Sequence, residues 1–136
     1  MEAVNWYTKS SKAGYSVSAV RLGDLYASGN GVVQDDVEAL KWYQMAADKN
    51  NIIGQRKIGE AYLNGRGVKK DEVEAVKWLQ KAATFLDPVA ERLLADCMRK
   101  GIGIARDDAK AAELYRDAKR QGDELAAKAL QEMFPQ

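Results

Sequence analysis

Apolar residues return at helical spacing twice in every 36 residues of this chain, with a glycine-rich break between the two runs. The first run carries Ser18, Leu22, Gly23 and Tyr26, then Gly54, Ile58, Gly59 and Tyr62, then Ala90, Leu94, Ala95 and Met98. Offsets of four, five and eight residues put these on one helix face. The second run, Ala39, Trp42, Tyr43 and Ala46, recurs as Ala75, Trp78, Leu79 and Ala82, and its offsets again describe one face. Single positions keep the same step: Trp6, Trp42 and Trp78, with Leu114 in the fourth place, and Ala3, Ala39, Ala75 and Ala111. A fixed period of this length marks stacked units, each too small to bury its own apolar face. The pattern predicts eight helices, near 2–12, 16–28, 36–49, 52–64, 72–85, 88–100, 108–121 and 123–134, and no strand.

The polar punctuation agrees with the apolar pattern. Gly29, Gly65 and Gly101 fall just past the first helix of each unit, where the chain usually turns left-handed and glycine does so cheaply. Asp35, Asp71 and Asp107 are placed to cap the second helix, and Glu38 and Glu74, three residues on, would complete reciprocal capping boxes. Lys110 interrupts that box in the last unit. Asn51, Asp87 and Asp123 are expected to cap the helices that follow, with Pro88 at a first-turn position that suits proline. Leu86 stands where Gly14 and Gly122 stand in other units, so a different bend is expected there. The whole chain, 1–136, reads as one solenoid. It divides into a half repeat at 1–13, which holds a second helix only, repeats at 14–49, 50–85 and 86–121, and a C-terminal capping helix at 122–136. In that last helix Leu125, Ala126, Ala129, Leu130 and Phe134 are expected to face the stack, with Lys128, Gln131 and Glu132 outward.

Composition narrows the function by exclusion. With 21 basic and 20 acidic residues the net charge is +1, which offers no electrostatic footprint for nucleic acid. No apolar run approaches the roughly 20 residues of a membrane span, and the first residues lack the basic and apolar stretches of a secretory signal. Neither nucleic-acid binding nor membrane insertion is expected. The lone cysteine, Cys97, suits a reducing cytoplasm, although a periplasmic or secreted chain whose signal had been removed would look the same. Cys97 follows Leu25 and Ala61 in register, which reads as packing rather than redox chemistry. Histidine is absent, which removes the commonest metal ligand and general base. The carboxylates are accounted for by caps and helix surfaces. The Gly-x-Gly-Val loops lack the third glycine, the strand and the lysine of a phosphate loop. No catalytic residue, metal or cofactor is therefore expected.

Together these residues resemble the Sel-one-like repeat (SLR) family, relatives of the tetratricopeptide repeats. That family's pattern reads here as Leu22-Gly23, Tyr26, Gly29-Asn30-Gly31-Val32, Asp35, Ala39, Trp42 and Ala46-Ala47. It recurs as Ile58-Gly59, Tyr62, Gly65-Arg66-Gly67-Val68, Asp71, Ala75, Trp78 and Ala82-Ala83. The third unit departs from it at Ala95, Met98, Ile104 and Leu114. The resemblance implies an all-α, right-handed superhelical solenoid of antiparallel helix pairs. It also implies a concave face, lined by first helices, that holds another protein. Family members resembling this chain act as adaptors in membrane-protein degradation, as host-interaction factors, or as neutralising partners of secreted effectors.

The helix positions opposite the apolar face form rows across successive units. Arg21, Lys57 and Leu93 make one, Asp24, Glu60 and Asp96 the next, and Ser28, Asn64 and Lys100 a third. Donors beside acceptors could grip an extended peptide. The plainer reading takes Arg21–Asp24 and Lys57–Glu60 as i, i+3 helix pairs. The tryptophans, one per unit in the same seam, read as core packing. At the N-terminal end no first helix precedes Trp6 and Tyr7, which marks that patch as a self-association surface or as the cut edge of a longer array. The expected function is a non-catalytic protein–protein interaction scaffold that binds a peptide or protein on its concave face. The alternatives are an immunity-type protein that neutralises a secreted bacterial effector, and an architectural segment of a longer repeat protein.

Overall fold

A computed structural model describes residues 2–135 and contains no strand among them. Its helices are α1 (Glu2–Lys12), α2 (Ser16–Ser28), α3 (Asp36–Asp48), α4 (Ile52–Asn64), α5 (Glu72–Thr84), α6 (Pro88–Lys100), α7 (Asp108–Arg120) and α8 (Glu124–Met133). They follow the apolar periodicity to within a residue or so at each end. The chain divides into two compact units, residues 1–70 with α1 to α4 and residues 71–136 with α5 to α8. Within each unit consecutive helices pack on one another.

In the first unit the core is built from Ala19, Leu22, Ala39, Tyr43, Ala46, Ala47 and Ile58. In the second it is built from Ala75, Leu79, Ala90, Leu94, Ala95, Ala111, Tyr115, Ala118 and Ala126. Alanine and glycine dominate the contact faces because the helices approach closely. A Cβ added at Gly54 would lie 2.9 Å from the Ala46 Cβ and 3.0 Å from the Tyr43 carbonyl oxygen.

The caps form as expected, with one correction. Asp35 accepts from the Glu38 amide, Asn51 from Gly54, Asp71 from Glu74, Asp87 from Ala90, Asp107 from Lys110 and Asp123 from Ala126. The reciprocal half of the capping box is not made at Asp35. Its amide donates instead to the Tyr26 carbonyl at 2.9 Å, and the Glu38 carboxylate pairs with Lys41. Asp107 does the same with Met98 O, so Lys110 in place of the glutamate leaves no donor unsatisfied. Glu74 likewise turns to Lys77.

The turns that lead into α2, α4, α6 and α8 share one conformation. Gly14, Asn50, Leu86 and Gly122 all have positive φ, at 104°, 62°, 62° and 96°. The bend at Leu86 is thus the left-handed one found in the other units, held by a residue that finds it costly. The second glycine of the Gly-x-Gly loops has a role that the motif alone did not reveal. A Cβ on Gly67 would lie 2.3 Å from the Asp36 carbonyl oxygen, and one on Gly103 would lie 2.3 Å from the Glu72 carbonyl oxygen. Each loop therefore rests on the first turn of the second helix one repeat earlier.

The two ends depart from expectation. Ala126 and Ala129 of α8 are buried and Leu130 is half-buried, but Leu125 is exposed. Phe134 lies just beyond the helix, 54% exposed, with the Arg116 guanidinium 5.7 Å from its ring. Two residues assigned to the stack thus face solvent, because no helix lies against that side of α8 among the described residues. The tryptophan seam is also less buried than a core: Trp42 and Trp78 are half-buried, and Trp6 is 63% exposed.

Candidate binding clefts

In the first unit, α2, α3, α4 and the Gly65–Gly67 loop enclose an open cleft of about 220 Å³. Its floor is apolar, from Ala27, Ala39, Leu40 and Ala61, with Tyr43 at one side. Its rim carries Asp36, Lys57, Glu60, Asn64 and Arg66. Helical spacing explains the middle member of each row, since Lys57, Glu60 and Asn64 lie with Ala61 on one face of α4. Arg66 is aimed across the cleft by the glycine-flanked loop and pairs with Asp36 at 2.9 Å.

The acceptor row is largely engaged within the fold. The Tyr43 hydroxyl in α3 donates to Asp24 Oδ1 at 2.5 Å, and Lys57 Nζ lies 3.8 Å from the same oxygen. Burial, reinforced by the Asp24 carboxylate, drives the Tyr43 hydroxyl pKa well above its usual value, so it is a permanent donor. Tyr115 makes the same bond to Asp96 in the second unit, with the same upward shift from burial and from Asp96. Glu60 pairs with Arg56, one turn back. The i, i+3 pairs expected from the sequence are therefore replaced: Lys57 reaches Asp24 on the neighbouring helix rather than Glu60, and no ion pair joins Arg21 to Asp24 among the described residues.

In the second unit a cleft of about 520 Å³ lies between α6, α8 and the Arg106 segment. It is lined by Arg92, Asp96, Arg99, Lys100, Lys128 and Glu132, with Leu125 and Ala129 between them. Arg99 pairs with Glu132 at 3.3 Å, and Arg92 pairs with Asp123 at 3.1 Å. Five cations against two carboxylates line this cleft, which makes it the more basic of the two.

Of the nine row residues, Lys57, Glu60 and Asn64 line the first cleft, and Asp96 and Lys100 line the second. Asp24 abuts the first through its bonds to Tyr43 and Lys57. Arg21, Ser28 and Leu93 line neither cleft; Arg21 and Ser28 are exposed, and the Ser28 hydroxyl lies 3.3 Å from the Leu25 carbonyl oxygen of its own helix. Sequence reasoning missed Tyr43, Asp36 and Arg66. A signal for the first was present: tyrosine stands at 43 and 115 where the row offers aspartate, and leucine at 79 where it offers Glu60. On α1 the exposed Trp6 and the half-buried Tyr7 meet edge to face, with centroids 5.3 Å apart. Cys97 is buried, and burial, with Asp96 and Glu72 adding to it, pushes its thiol up to about 11, which suits packing.

These helix pairs, glycine loops and caps define an all-α helical-repeat protein. The Sel1 repeat family model matches residues 1–15, 16–51, 52–84 and 88–123, and the chain belongs to that family. It is similar to c5321, described as a protective antigen of uropathogenic Escherichia coli strains displaying an SLR fold. There the identity is 34% and the TM-score 0.91, over 95% of this chain and 28% of that one. It is similar also to a Sel1 repeat protein from Oxalobacter formigenes, at 35% identity and TM-score 0.86, over 90% of this chain and 50% of that one. The chain thus spans about a quarter to a half of the length of these two relatives. Helicobacter pylori cysteine rich protein B shares the helical solenoid fold, at 24% identity and TM-score 0.74, over 95% of this chain and 92% of that one. No curated protein matches the chain significantly. Sel1 repeat proteins are in general protein-interaction scaffolds. No helix among the described residues is long and apolar enough to cross a membrane.

Proposed function

We propose that this chain is a non-catalytic scaffold that holds a peptide or protein segment on the faces of its first-type helices. The observation that carries this reading is the first cleft, where an apolar floor is ringed by Lys57, Glu60, Asn64, Asp36 and Arg66. Such a surface suits an extended segment with alternating apolar and charged side chains, because the floor takes the former and the rim pairs the latter. Part of the rim, Asp36 with Arg66 and Glu60 with Arg56, is paired before any ligand arrives, so less ordering entropy is lost on docking. Asp24 and Asp96 act in this reading as supports, fixed by tyrosine, while Lys57, Glu60, Asn64 and Lys100 make the contacts. Selection from a random peptide library tests it, with the parent chain beside a Lys57→Ala, Glu60→Ala, Asn64→Ala variant. Peptides enriched on the parent should lose at least tenfold in affinity on the variant, while circular dichroism shows the fold kept. Equal binding by both removes the cleft as the site.

A second partner surface is favoured by the exposure of Trp6 beside Tyr7. Tryptophan and tyrosine are enriched among the anchors of protein contacts, and Trp6 is 63% exposed.

A further inference from the structure

The dipeptide Asn-Gly occurs at Asn30-Gly31 and again at Asn64-Gly65, and the repeat places the two pairs differently. Asn64 is the last residue of α4, and the Gly65 amide donates to the Ala61 carbonyl as that helix closes. Asn30 lies two positions further along its own unit, past α2 and past the Gly29 cap. Its amide donates to the Leu25 carbonyl at 3.1 Å, which holds the turn. Its side chain is exposed and makes no hydrogen bond among the described residues. The next amide, that of Gly31, is exposed and also donates to none of them. Gly67 and Gly103 hold the same place in the other two loops, and their amides likewise donate to nothing among the described residues. Yet both of those loops rest on an earlier helix. The free amide is thus a property of the Gly-x-Gly loop, whatever lies before α1.

We propose that Asn30 is a site of spontaneous conversion to isoaspartate and aspartate, and that Asn64, with the same neighbour, is protected. The Gly31 nitrogen attacks Asn30 Cγ and gives its proton to solvent base. The N–Cγ bond forms as the Cγ–Nδ2 bond breaks, and ammonia leaves a succinimide ring. Water then opens the ring. Addition at Cγ gives aspartate, and addition at the Asn30 carbonyl carbon gives isoaspartate, in which the chain runs through Cγ. Glycine favours the attack because it puts no Cβ in the path of its own nitrogen. At Asn64 the same attack needs ψ to leave the helical range and the Gly65 amide to give up the Ala61 carbonyl, which unwinds the end of α4. Either product at position 30 takes the net charge from +1 to zero. Isoaspartate also inserts a further backbone atom into the turn that the Asn30–Leu25 and Asp35–Tyr26 bonds close. The change falls on the connection between α2 and α3 and spares Asn64 on the rim of the first cleft. It is therefore independent of peptide binding there.

Incubation of the full chain at mildly alkaline pH tests this, with samples taken over time and digested by trypsin. The two sites fall on separate peptides, 22–41 and 58–66, so mass spectrometry follows deamidation at each. Labelling by an isoaspartyl methyltransferase measures the isoaspartate formed. A parallel incubation in guanidinium chloride gives the rate of each site in the unfolded chain, where the two should react alike. On folding, Asn30 should keep its rate, while Asn64 should slow by at least about tenfold, or 1.4 kcal/mol on the barrier. An Asn30 that slows as much as Asn64 overturns the proposal, and so does an Asn64 that reacts as fast as Asn30 in the folded chain. Asn30→Ser, at an exposed position, should remove the isoaspartate label from the folded chain, as circular dichroism confirms that it folds. A label undiminished in that variant would place the reaction elsewhere and overturn the proposal as well.

Discussion

The Tyr43 hydroxyl donates to the Asp24 carboxylate across two helices at 2.5 Å, and Tyr115 repeats the bond to Asp96 one unit on. Each bond lets a large ring fill the helix interface while its one polar atom stays satisfied. The bond also fixes the aspartate at the cleft edge, where Lys57 approaches it from the next helix. An acidic row that faces outward in the sequence is therefore partly an internal fastening.

Replacing Tyr43 by phenylalanine should cost about 1.5 kcal/mol, the low end for a hydrogen bond to a charged group because Asp24 is half-exposed. Lys57→Ala should cost under about 0.5 kcal/mol, because its contact with Asp24 is long and half-exposed. Urea denaturation of the two variants beside the parent measures both. Equal costs would show that the tyrosine bond contributes no more than the ion pair.

Gly101 and Gly103 should respond differently to alanine, although both have positive φ. At Gly101 a Cβ meets nothing nearer than 3.8 Å, so only the left-handed backbone cost of about 1–2 kcal/mol applies. At Gly103 the Cβ would collide with the Glu72 carbonyl, and the loop must lift from α5. Thermal unfolding of both variants should therefore show Gly103→Ala as clearly the less stable.

Leu86 holds φ at 62° with an exposed side chain, and Asn50 holds the same angle at the same repeat position. Asparagine tolerates this region better than leucine. Leu86→Asn should stabilise the chain by about 0.5–1 kcal/mol, seen as a rise in the denaturation midpoint with an unchanged slope. A fall in the midpoint would mean that Leu86 makes a contact worth more than its strain.

Glu91 is 1% exposed in α6, and Gln121 Nε2 donates to its Oε1 at 2.6 Å. Burial raises its carboxyl above the usual range, Asp87 adds to this, and Gln121 and Arg120 oppose it. The folded state then holds the proton to higher pH than the unfolded state does. The stability from this group is fully present below the unfolded value, about 4.3, and is lost as pH rises through the raised folded value. Glu91→Gln keeps an acceptor for Gln121 and removes the charge. Denaturation across pH should show a smaller loss over that window for the variant, and higher stability than the parent at neutral pH.

Most of the fold was legible because each helix announces itself twice, by apolar spacing and by its caps. The Asp35, Asp71 and Asp107 caps and the glycine stops at 29, 65 and 101 are local chemistry that depends on residues a turn away. What escaped depends on residues far apart in the chain. The reciprocal capping box fails because the Tyr26 carbonyl reaches the Asp35 amide first. Lys57 turns from Glu60 to Asp24 because the adjacent helix offers an oxygen held ready by Tyr43. Of the cleft, the α4 face was readable from its spacing. Asp36 and Arg66 were not, because a loop thirty residues away brings them together. Leu125 and Phe134 were misplaced because an apolar residue on a helix predicts a face and not whether anything lies against it.

The seating of Gly67 on Asp36, and of Gly103 on Glu72, joins backbone to backbone. Such a joint is indifferent to which side chains surround it. Rim residues can therefore be exchanged for others without disturbing the spacing from one repeat to the next. The joint works as a ruler, fixing the period while leaving the recognition surface free to diverge.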